Sequence, residues 1–249
     1  MKKMKLLKSI IYVVMLFSIA QTVTAQKKKV AVVTFYANKM VDYSALEIPA
    51  GEMMKELLDL RNDPNFNLAP LLETYHTNFF NEYSKSFPFE LLPENVVTEN
   101  KAYQAYNEGS GNTTYDALDY LMFPGYKYLY EGILGKSNEV AVAKMFENEA
   151  DGVMFVYIDF SFQKGFGIGK TMSIKMRATT RIALYNKKGE KVFAFSEGEN
   201  SKKTGVMVKG IPVMKPEKIL PMCESALTEL MGDLDKRIEK IVKKSEAKL

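Results

Sequence analysis

The chain has 249 residues, with 34 Lys and Arg against 30 Asp and Glu, and it contains one Cys, one His and no Trp. This length is enough for one well-packed domain, and a single Cys excludes an internal disulfide, so the core must supply the stability. A single His also excludes a zinc site that is built from several His and Cys ligands.

The first 25 residues have the pattern of a secretory signal. Four lysines precede an apolar run at residues 10–20, and Val23 and Ala25 stand at the third and first positions before the expected cleavage site. The run is shorter than the ~20 residues that a spanning helix needs. We therefore expect a signal peptide at 1–25 and one α+β domain at 26–249, exported to the periplasm or, as a second choice, secreted.

Loss of the signal changes the charge of the chain. It removes four of the 34 basic residues and no acidic ones, which leaves 30 against 30. A neutral chain has no overall field that attracts nucleic acid, so no nucleic-acid partner is expected. Gln26 follows the cleavage site, so no acceptor cysteine for a lipid is expected there.

The first part of the domain alternates between strands and helices. Residues 29–36 form a β-branched apolar run that predicts the first strand. Helices are predicted at 49–60, which begins with a proline, and at 70–84, where apolar residues recur on one face. A strand is expected at 89–97 and a short helix at 99–107.

Tyrosines are concentrated in the next stretch, because seven of the chain's 14 fall between residues 103 and 130. A tyrosine offers a flat apolar face and a polar tip, which suits a binding surface. We interpret residues 108–135 as a lid over the sheet or its edge, or as a platform for a glycan or peptide, although the absence of Trp disfavours a glycan. Tyr126, Tyr128 and Tyr130 are therefore candidate partner-binding residues.

Residues 151–197 carry the clearest β pattern. An apolar strand is predicted at 153–158, a long alternating strand at 171–185, and a returning strand at 191–196. Alternation with period two predicts an antiparallel meander that has one packed face and one solvated face.

Helices are expected on both sides of this meander. One is predicted before it at residues 138–149. After it, residues 198–213 are rich in Gly and Lys and predict a mobile connection, and apolar residues at 220–241 recur every three or four positions. The predicted fold is therefore α+β: a mixed sheet with a carboxy-terminal three-stranded meander, helices packed on it, and a long amphipathic C-terminal helix.

The glycine-rich connection at residues 165–171 has part of the pattern of a phosphate-binding loop. That loop needs a glycine where this chain has Lys164, and it needs a helix where a strand is predicted, so no nucleotide site is expected. The strand that follows is long, so either it bends through a bulge or its hairpin projects beyond the sheet. In the second case Phe166, Ile168 and Lys170 are candidate contacts for a partner or a lipid surface.

Other polar groups have weaker claims to a function. Lys175, Arg177 and Arg181 share the polar face of one strand and form a weak candidate for anion binding, or else a solvated or ion-paired face. His76 and Cys223 are the one imidazole and the one thiol available for a catalytic dyad. We interpret His76 as a helix-edge residue and Cys223 as a core residue. No catalytic residue, metal site or cofactor is expected.

Three segments, taken in order, resemble a known superfamily. They are KVAVVTF at 29–35, FELLPENVV at 89–97, and ADGVMFVYI at 150–158, which leads into the meander. This pattern resembles the envelope proteins that include the curli secretion channel subunit, the activator lipoproteins of penicillin-binding proteins and the amino-terminal domain of TolB. The resemblance covers most of the mature chain and implies a mixed sheet with packed helices and a periplasmic binding or assembly role without catalysis. The lipoproteins of that group carry an acceptor cysteine that this chain lacks, so a tethered or channel-building role does not fit.

The expected function is that of a non-enzymatic envelope protein that binds or helps to assemble another envelope protein or polymer, with peripheral contact to a membrane left open. One alternative is a carboxylate-based hydrolase of envelope glycans or peptides, which needs converging acidic groups near the tyrosines. The other is a small-ligand carrier, which needs an enclosed apolar pocket beneath them.

Overall fold

A computed structural model describes residues 27–106, 118–132, 137–168, 171–208 and 211–243, so the predicted signal peptide lies outside the described residues. The strands are β1 (Lys29–Asn38), β2 (Glu90–Leu91), β3 (Tyr120–Met122), β4 (Gly152–Ile168), β5 (Thr171–Asn186), β6 (Lys191–Val208) and β7 (Ile211–Pro212). The helices are α1 (Ala50–Asn62), α2 (Ala69–Asn81), α3 (Glu94–Thr98), α4 (Lys101–Ala105), α5 (Ser137–Met145) and α6 (Pro216–Val242).

The strands of the described residues form one mixed sheet in the order β2-β1-β4-β5-β6-β7, and β3 pairs with the remaining part of the β1 edge. β1 is parallel to β2 and β4, whereas β4, β5, β6 and β7 are joined in antiparallel pairs. The predicted α+β fold with an antiparallel meander is therefore confirmed.

The two faces of the sheet differ as the alternation in β5 predicts. The even-numbered residues from Ile174 to Leu184 are buried on one face, and the odd-numbered residues from Ser173 to Arg181 are half-buried on the other. We call the first the helical face, because α2 and α6 pack on it. The second carries α5 and residues 120–132, and we call it the tyrosine face.

The core on the helical face is strongly aromatic. The ring of Phe35 in β1 lies 5.7 Å from that of Tyr75 and 5.6 Å from that of Phe79, both in α2. The Thr180 hydroxyl donates to a backbone carbonyl of β4, so it accepts the buried hydrogen bond of 2.5 Å from the Tyr75 hydroxyl. Cys223 of α6 is fully buried, which confirms its predicted place in the core. No helix among the described residues is long and apolar enough to cross a membrane.

The predicted strand at 89–97 is wrong over most of its length. Only Glu90–Leu91 pairs with β1, and α3 begins at Glu94 directly after Pro93. A proline has no amide hydrogen to donate to a ladder but is well suited to precede a helix. The β-branched pair Val96 and Val97 was therefore a misleading signal, since Val97 is buried as a helix residue.

The predicted mobile connection at 198–213 is also wrong. β6 continues through these residues to Val208 and pairs with β5 and β7. Its glycines lie where neighbouring side chains approach the strand closely, not in a loop. A Cβ at Gly198 would lie 2.7 Å from Thr179 Oγ1, and one at Gly205 would lie 2.9 Å from Met222 Sδ. Glycine inside a strand often has this role.

The remaining helices lie near their predicted positions. α1 and α2 shift by one to three residues, α4 and α5 are shorter than predicted, and α6 begins earlier, at Pro216. α4 starts where it does because the Asn100 side chain accepts a hydrogen bond from the Tyr103 amide, which is a typical N-cap.

The turn between β5 and β6 gives a test of this packing. Gly189 has φ +70°, and a Cβ there would lie 2.8 Å from the backbone nitrogen of Val140 in α5. We expect Gly189→Ala to lower the free energy of unfolding by about 2 kcal/mol, from backbone strain and the clash together. Urea unfolding followed by circular dichroism measures the change.

Gly232 provides the matched control, because nothing lies within 4 Å of a Cβ at that position inside α6. Gly232→Ala should raise the free energy of unfolding by about 0.5–1 kcal/mol, since alanine is the better helix former. Equal effects of the two substitutions would contradict the described contact between the turn and α5.

Candidate functional site

A cleft of about 680 Å³ lies on the tyrosine face of the sheet, between β1, β4 and residues 120–132. Its aromatic lining consists of five residues: Tyr36, Tyr120, Tyr128, Tyr130 and Tyr157. We call this space the tyrosine cleft. Its volume lies within the range of roughly 300–1,000 Å³ that is typical of small-molecule sites.

Tyr36 is the centre of the aromatic wall. Its ring stacks on that of Tyr157 with centroids 4.9 Å apart and an interplanar angle of 12°. Its centroid lies 5.0 Å from that of Tyr128 and 5.4 Å from that of Tyr120, and the last two are 4.1 Å apart. Rings held by one another in this way need little ordering when a ligand binds.

An irregularity in β1 places Tyr36 on the tyrosine face. The pairing of β1 with β4 shifts by one residue between Val32 and Thr34, so that Tyr36 pairs with Tyr157. Val32 pairs with Met154 on the helical face, and without the shift Tyr36 would follow it to that side. The cleft therefore depends on one extra residue in a buried strand.

Residues 120–132 are fixed against the sheet by hydrogen bonds on their inner side. The Tyr103 hydroxyl donates to the carbonyl oxygen of Val33 at 2.8 Å and accepts from the amide of Lys127 at 2.8 Å. The Thr34 hydroxyl donates to the Lys127 carbonyl oxygen at 2.7 Å. Both backbone polar groups of Lys127 are thus connected to β1: its carbonyl oxygen directly through Thr34, and its amide through the Tyr103 hydroxyl.

A second anchor involves Tyr126, which is only 6 % exposed and does not line the cleft. Its hydroxyl donates to Glu94 Oε1 at 2.9 Å, and the same oxygen lies 2.6 Å from Nε2 of His76. The ring of Phe123 stacks on that of His76 with centroids 3.5 Å apart. His76 is therefore buried inside the structure, and the expectation of a helix-edge position is wrong.

The charged groups on one side of the cleft are already paired. Glu131 accepts hydrogen bonds from Nε and Nη2 of Arg181 and from the Tyr185 hydroxyl, and Nζ of Lys191 lies 3.8 Å away. Burial raises the pKa of Glu131, but the hydrogen bonds from Arg181 and Tyr185 and the positive charges outweigh it and hold that pKa below its ordinary value. Glu131 is consequently ionised at neutral pH.

Asp159, on the other side of the cleft, has the opposite environment. Burial raises its pKa to about 6, the negative charge of Asp42 adds to the effect, and a hydrogen bond from the Asn38 side chain opposes it. Burial also raises the pKa of Tyr157 to about 12 and that of Tyr36 further above its ordinary value, so both phenols keep their protons. Among these shifted groups, Asp159 alone titrates near neutrality.

The predicted anion-binding row is divided by the structure. Arg181 lines the cleft, but the anion that it binds is the chain's own Glu131. Lys175 and Arg177 lie on the same face of β5, nearer to its beginning, and do not line the cleft. Anion binding by Lys175 and Arg177 stays a prediction.

The hairpin residues lie at the other end of the sheet. Phe166 is 88 % exposed, Ile168 pairs with Thr171 in the ladder, and Lys170 lies outside the described residues. Phe166 is nine residues from Tyr157 along β4, which corresponds to roughly 30 Å. The hairpin and the tyrosine cleft are therefore separate surfaces, of which Tyr128 and Tyr130 belong to the cleft.

Sequence analysis did not single out several residues of the cleft, among them Tyr36, Tyr157 and Asp159. Tyr36 and Tyr157 stand inside apolar runs, where an aromatic residue is normally part of a core. Asp159 gave the one usable signal, because it is an acidic residue that directly follows an apolar strand segment. The structure brings no cluster of three or more His, Cys, Asp or Glu together as a metal site within the described ranges.

Comparisons with known proteins add little. Neither the family models nor the curated proteins give a match. Among solved structures, the chain is similar to the lipoprotein GNA1162 from Neisseria meningitidis, over 86 % of this chain and 99 % of that one, with 11 % identity and a TM-score of 0.31. A likeness this weak carries no conclusion about function.

The raised pKa of Asp159 predicts a pH dependence of stability. A carboxyl whose pKa is higher in the folded chain destabilises the fold as the pH rises from its ordinary value of 3.8 to about 6 and beyond. We expect Asp159→Asn to raise the free energy of unfolding by about 1–2 kcal/mol at pH 7.5 and to have little effect at pH 4. Urea titrations at both pH values measure this.

Asp235→Asn is the control, because Asp235 is an exposed carboxyl on α6. Its effect should stay within about 0.5 kcal/mol at both pH values. If Asp159→Asn destabilised the chain at pH 7.5, the described burial of the ionised carboxyl would be wrong.

Proposed function

We propose that this chain is an exported, non-enzymatic protein of the bacterial cell envelope that binds a segment of another envelope component in the tyrosine cleft. Export rests on the predicted signal at residues 1–25. Binding rests on one observation, which is the set of five tyrosines that surround the cleft.

The walls of the cleft fit a flat or extended ligand that has polar groups along it. Tyrosine gives a large contact area at low entropic cost, because its side chain has two rotatable bonds, and its hydroxyl remains able to form hydrogen bonds. The shifted pKa values of Tyr36 and Tyr157 keep these hydroxyls as donors. The Asn38 amide adds a further polar contact beside Asp159.

The electrostatics of the cleft support binding rather than catalysis. Hydrolysis by two carboxylates needs one group that gives a proton and a second that is free to attack or to activate water. Glu131 is held by Arg181 and Tyr185, which leaves Asp159 without a second free carboxylate among the residues that line the cleft. A carrier of small apolar ligands also fits poorly, because tyrosine hydroxyls and charged groups line this space.

Photocrosslinking in cells tests the binding proposal. A photoreactive phenylalanine analogue at Tyr130, inside the cleft, should give a discrete adduct in the envelope fraction, which mass spectrometry identifies. The same analogue at Lys236, an exposed residue of α6, should give none. Introducing Tyr128→Ala beside the Tyr130 probe should reduce the adduct several-fold, because it removes one wall of the cleft.

Two results would count against this assignment. One is equal labelling at Tyr130 and Lys236, which would mean that the cleft has no preferred partner. The other is an unchanged adduct in the Tyr128→Ala chain, provided that circular dichroism shows the variant to be folded.

The raised pKa of Asp159 favours a hydrolase as the second candidate function. A carboxyl that titrates near pH 6 is a good general acid, and it lines the cleft together with an ionised Glu131. On this alternative, Arg181 would have to release Glu131 when substrate binds.

Purified cell-wall polymer, a glycan crosslinked by peptides, separates the two functions. The binding proposal predicts that the purified chain releases no soluble fragments and that Asp159→Asn still gives the Tyr130 adduct. Release of fragments by the native chain, lost at least a hundredfold in Asp159→Asn, would establish the hydrolase instead.

A further inference from the structure

The hairpin between β4 and β5 exposes apolar side chains that the rest of the structure does not cover. Phe166 is 88 % exposed, Val206 is 54 % exposed and Val208 is 51 % exposed. Among the described residues, these three have the highest exposure of the large hydrophobic side chains. Isolated exposed apolar residues are common, so their arrangement decides whether they matter.

The three residues lie close together at one end of the sheet. The pairing of β4 with β5 is irregular between Lys164 and Gly167, and the Ser173 hydroxyl donates to the Phe166 carbonyl and accepts from its amide. Ser173 in turn pairs with Val206 in β6. Val208 follows on the same face, since the residue between the two valines is buried on the other side. We call Phe166, Val206 and Val208 the apolar tip.

The opposite face at this end is packed. Met207 is 3 % exposed, and Met222 of α6 lies directly over Gly205. The sheet end is therefore supported from the helical face, so the exposure of the apolar tip does not result from missing support.

Glycine on both sides sets Phe166 apart. A Cβ at Gly165 would lie 2.3 Å from Ser173 Oγ, and one at Gly167 would lie 2.2 Å from Met172 Cβ. The bulge therefore admits no side chain at either position, whereas the Phe166 ring meets solvent. A large aromatic ring gains nothing for folding at such a site.

The two chain segments at this end, residues 164–177 and 200–216, contain basic residues and no acidic ones. Their described residues include Lys164, Lys175 and Arg177 in the first segment and Lys202, Lys203 and Lys215 in the second. Acidic partners come from other elements, as Glu47 does for Lys164 at 2.7 Å and Glu229 does for Lys202 at 2.8 Å. Such exposed pairs are weak, so a phosphate group can replace the carboxylate.

We infer that the apolar tip binds an anionic lipid surface peripherally. Phe166, Val206 and Val208 would enter the boundary between headgroups and acyl chains, and the lysines around them would contact lipid phosphates. A protein partner fits this end less well, because a stable protein interface needs about 800 Å² on each side and the tip offers three separated side chains. The site is distinct from the tyrosine cleft, so either assignment can fail without the other.

Vesicle flotation tests the inference with the processed chain, purified after export so that the signal is removed by the cell. Vesicles of phosphatidylglycerol and phosphatidylethanolamine should carry the chain to the top of the gradient at about 0.1 M salt. Binding should fall at least fivefold when phosphatidylcholine replaces these lipids, and also when the salt is raised to about 0.5 M. The variants Phe166→Ser and Lys175→Glu should each lose at least as much on the anionic vesicles.

Met54→Ser is the matched control, because Met54 is a 42 % exposed apolar residue on α1 and belongs neither to the hairpin nor to β6. It should bind as the native chain does. The chain contains no tryptophan, so Phe166→Trp provides a single indole whose emission should shift to the blue with anionic vesicles, while Met54→Trp should not shift.

Two outcomes would overturn the inference. One is equal flotation of the native chain and Phe166→Ser. The other is no flotation with anionic vesicles, and in that case a protein adduct from a photoreactive residue at position 166 would assign the tip to an acidic protein instead. If Phe166→Ser loses vesicle binding but still gives the Tyr130 adduct, the apolar tip and the tyrosine cleft act independently of each other.

Discussion

The register between β1, β4 and β5 is the constraint on which the other features depend. It pairs Tyr36 with Tyr157 and Tyr157 with Arg181, so one row of three strands supplies the floor of the tyrosine cleft. The neighbouring row, with Phe35 and Ile182, belongs to the helical core. Because strand side chains alternate, a shift of one residue in β1 would move Tyr36 to the helical face and Phe35 to the tyrosine face, and the phenol would then need a new hydrogen-bond partner in the core.

Tyrosine has two different roles in this fold. Tyr75, Tyr103 and Tyr126 are buried, and each directs its hydroxyl to a defined acceptor within the core. Tyr36, which is only 5 % exposed, and Tyr128 instead contact each other and the other rings that line the cleft. Tyr103 and Tyr126 of the buried group hold residues 120–132 on the sheet, and the rings of the second group depend on that support for their positions.

These two roles explain how far the sequence could predict the structure. The alternation in β5 fixed the faces of the meander and the apolar stripe fixed α6, because burial imposes a period there. No periodicity separates Tyr126 from Tyr128, since the direction of each side chain depends on hydrogen bonds to residues far away in the chain. The residue shift in β1 is likewise invisible in an apolar run, and glycines such as Gly198 read as loop residues when their real reason is a neighbouring strand.

At the hairpin bulge, three adjacent residues are under different constraints: two are restricted by folding, and the residue between them is not. Positions 165 and 167 are restricted to glycine by contacts at 2.2–2.3 Å, whatever the chain does in the cell. Position 166 has no such restriction, because its side chain meets solvent and its backbone alone holds Ser173. Any evolutionary constraint on the side chain at this position therefore comes from what the surface binds and not from folding. A reporter group attached there would leave the fold intact.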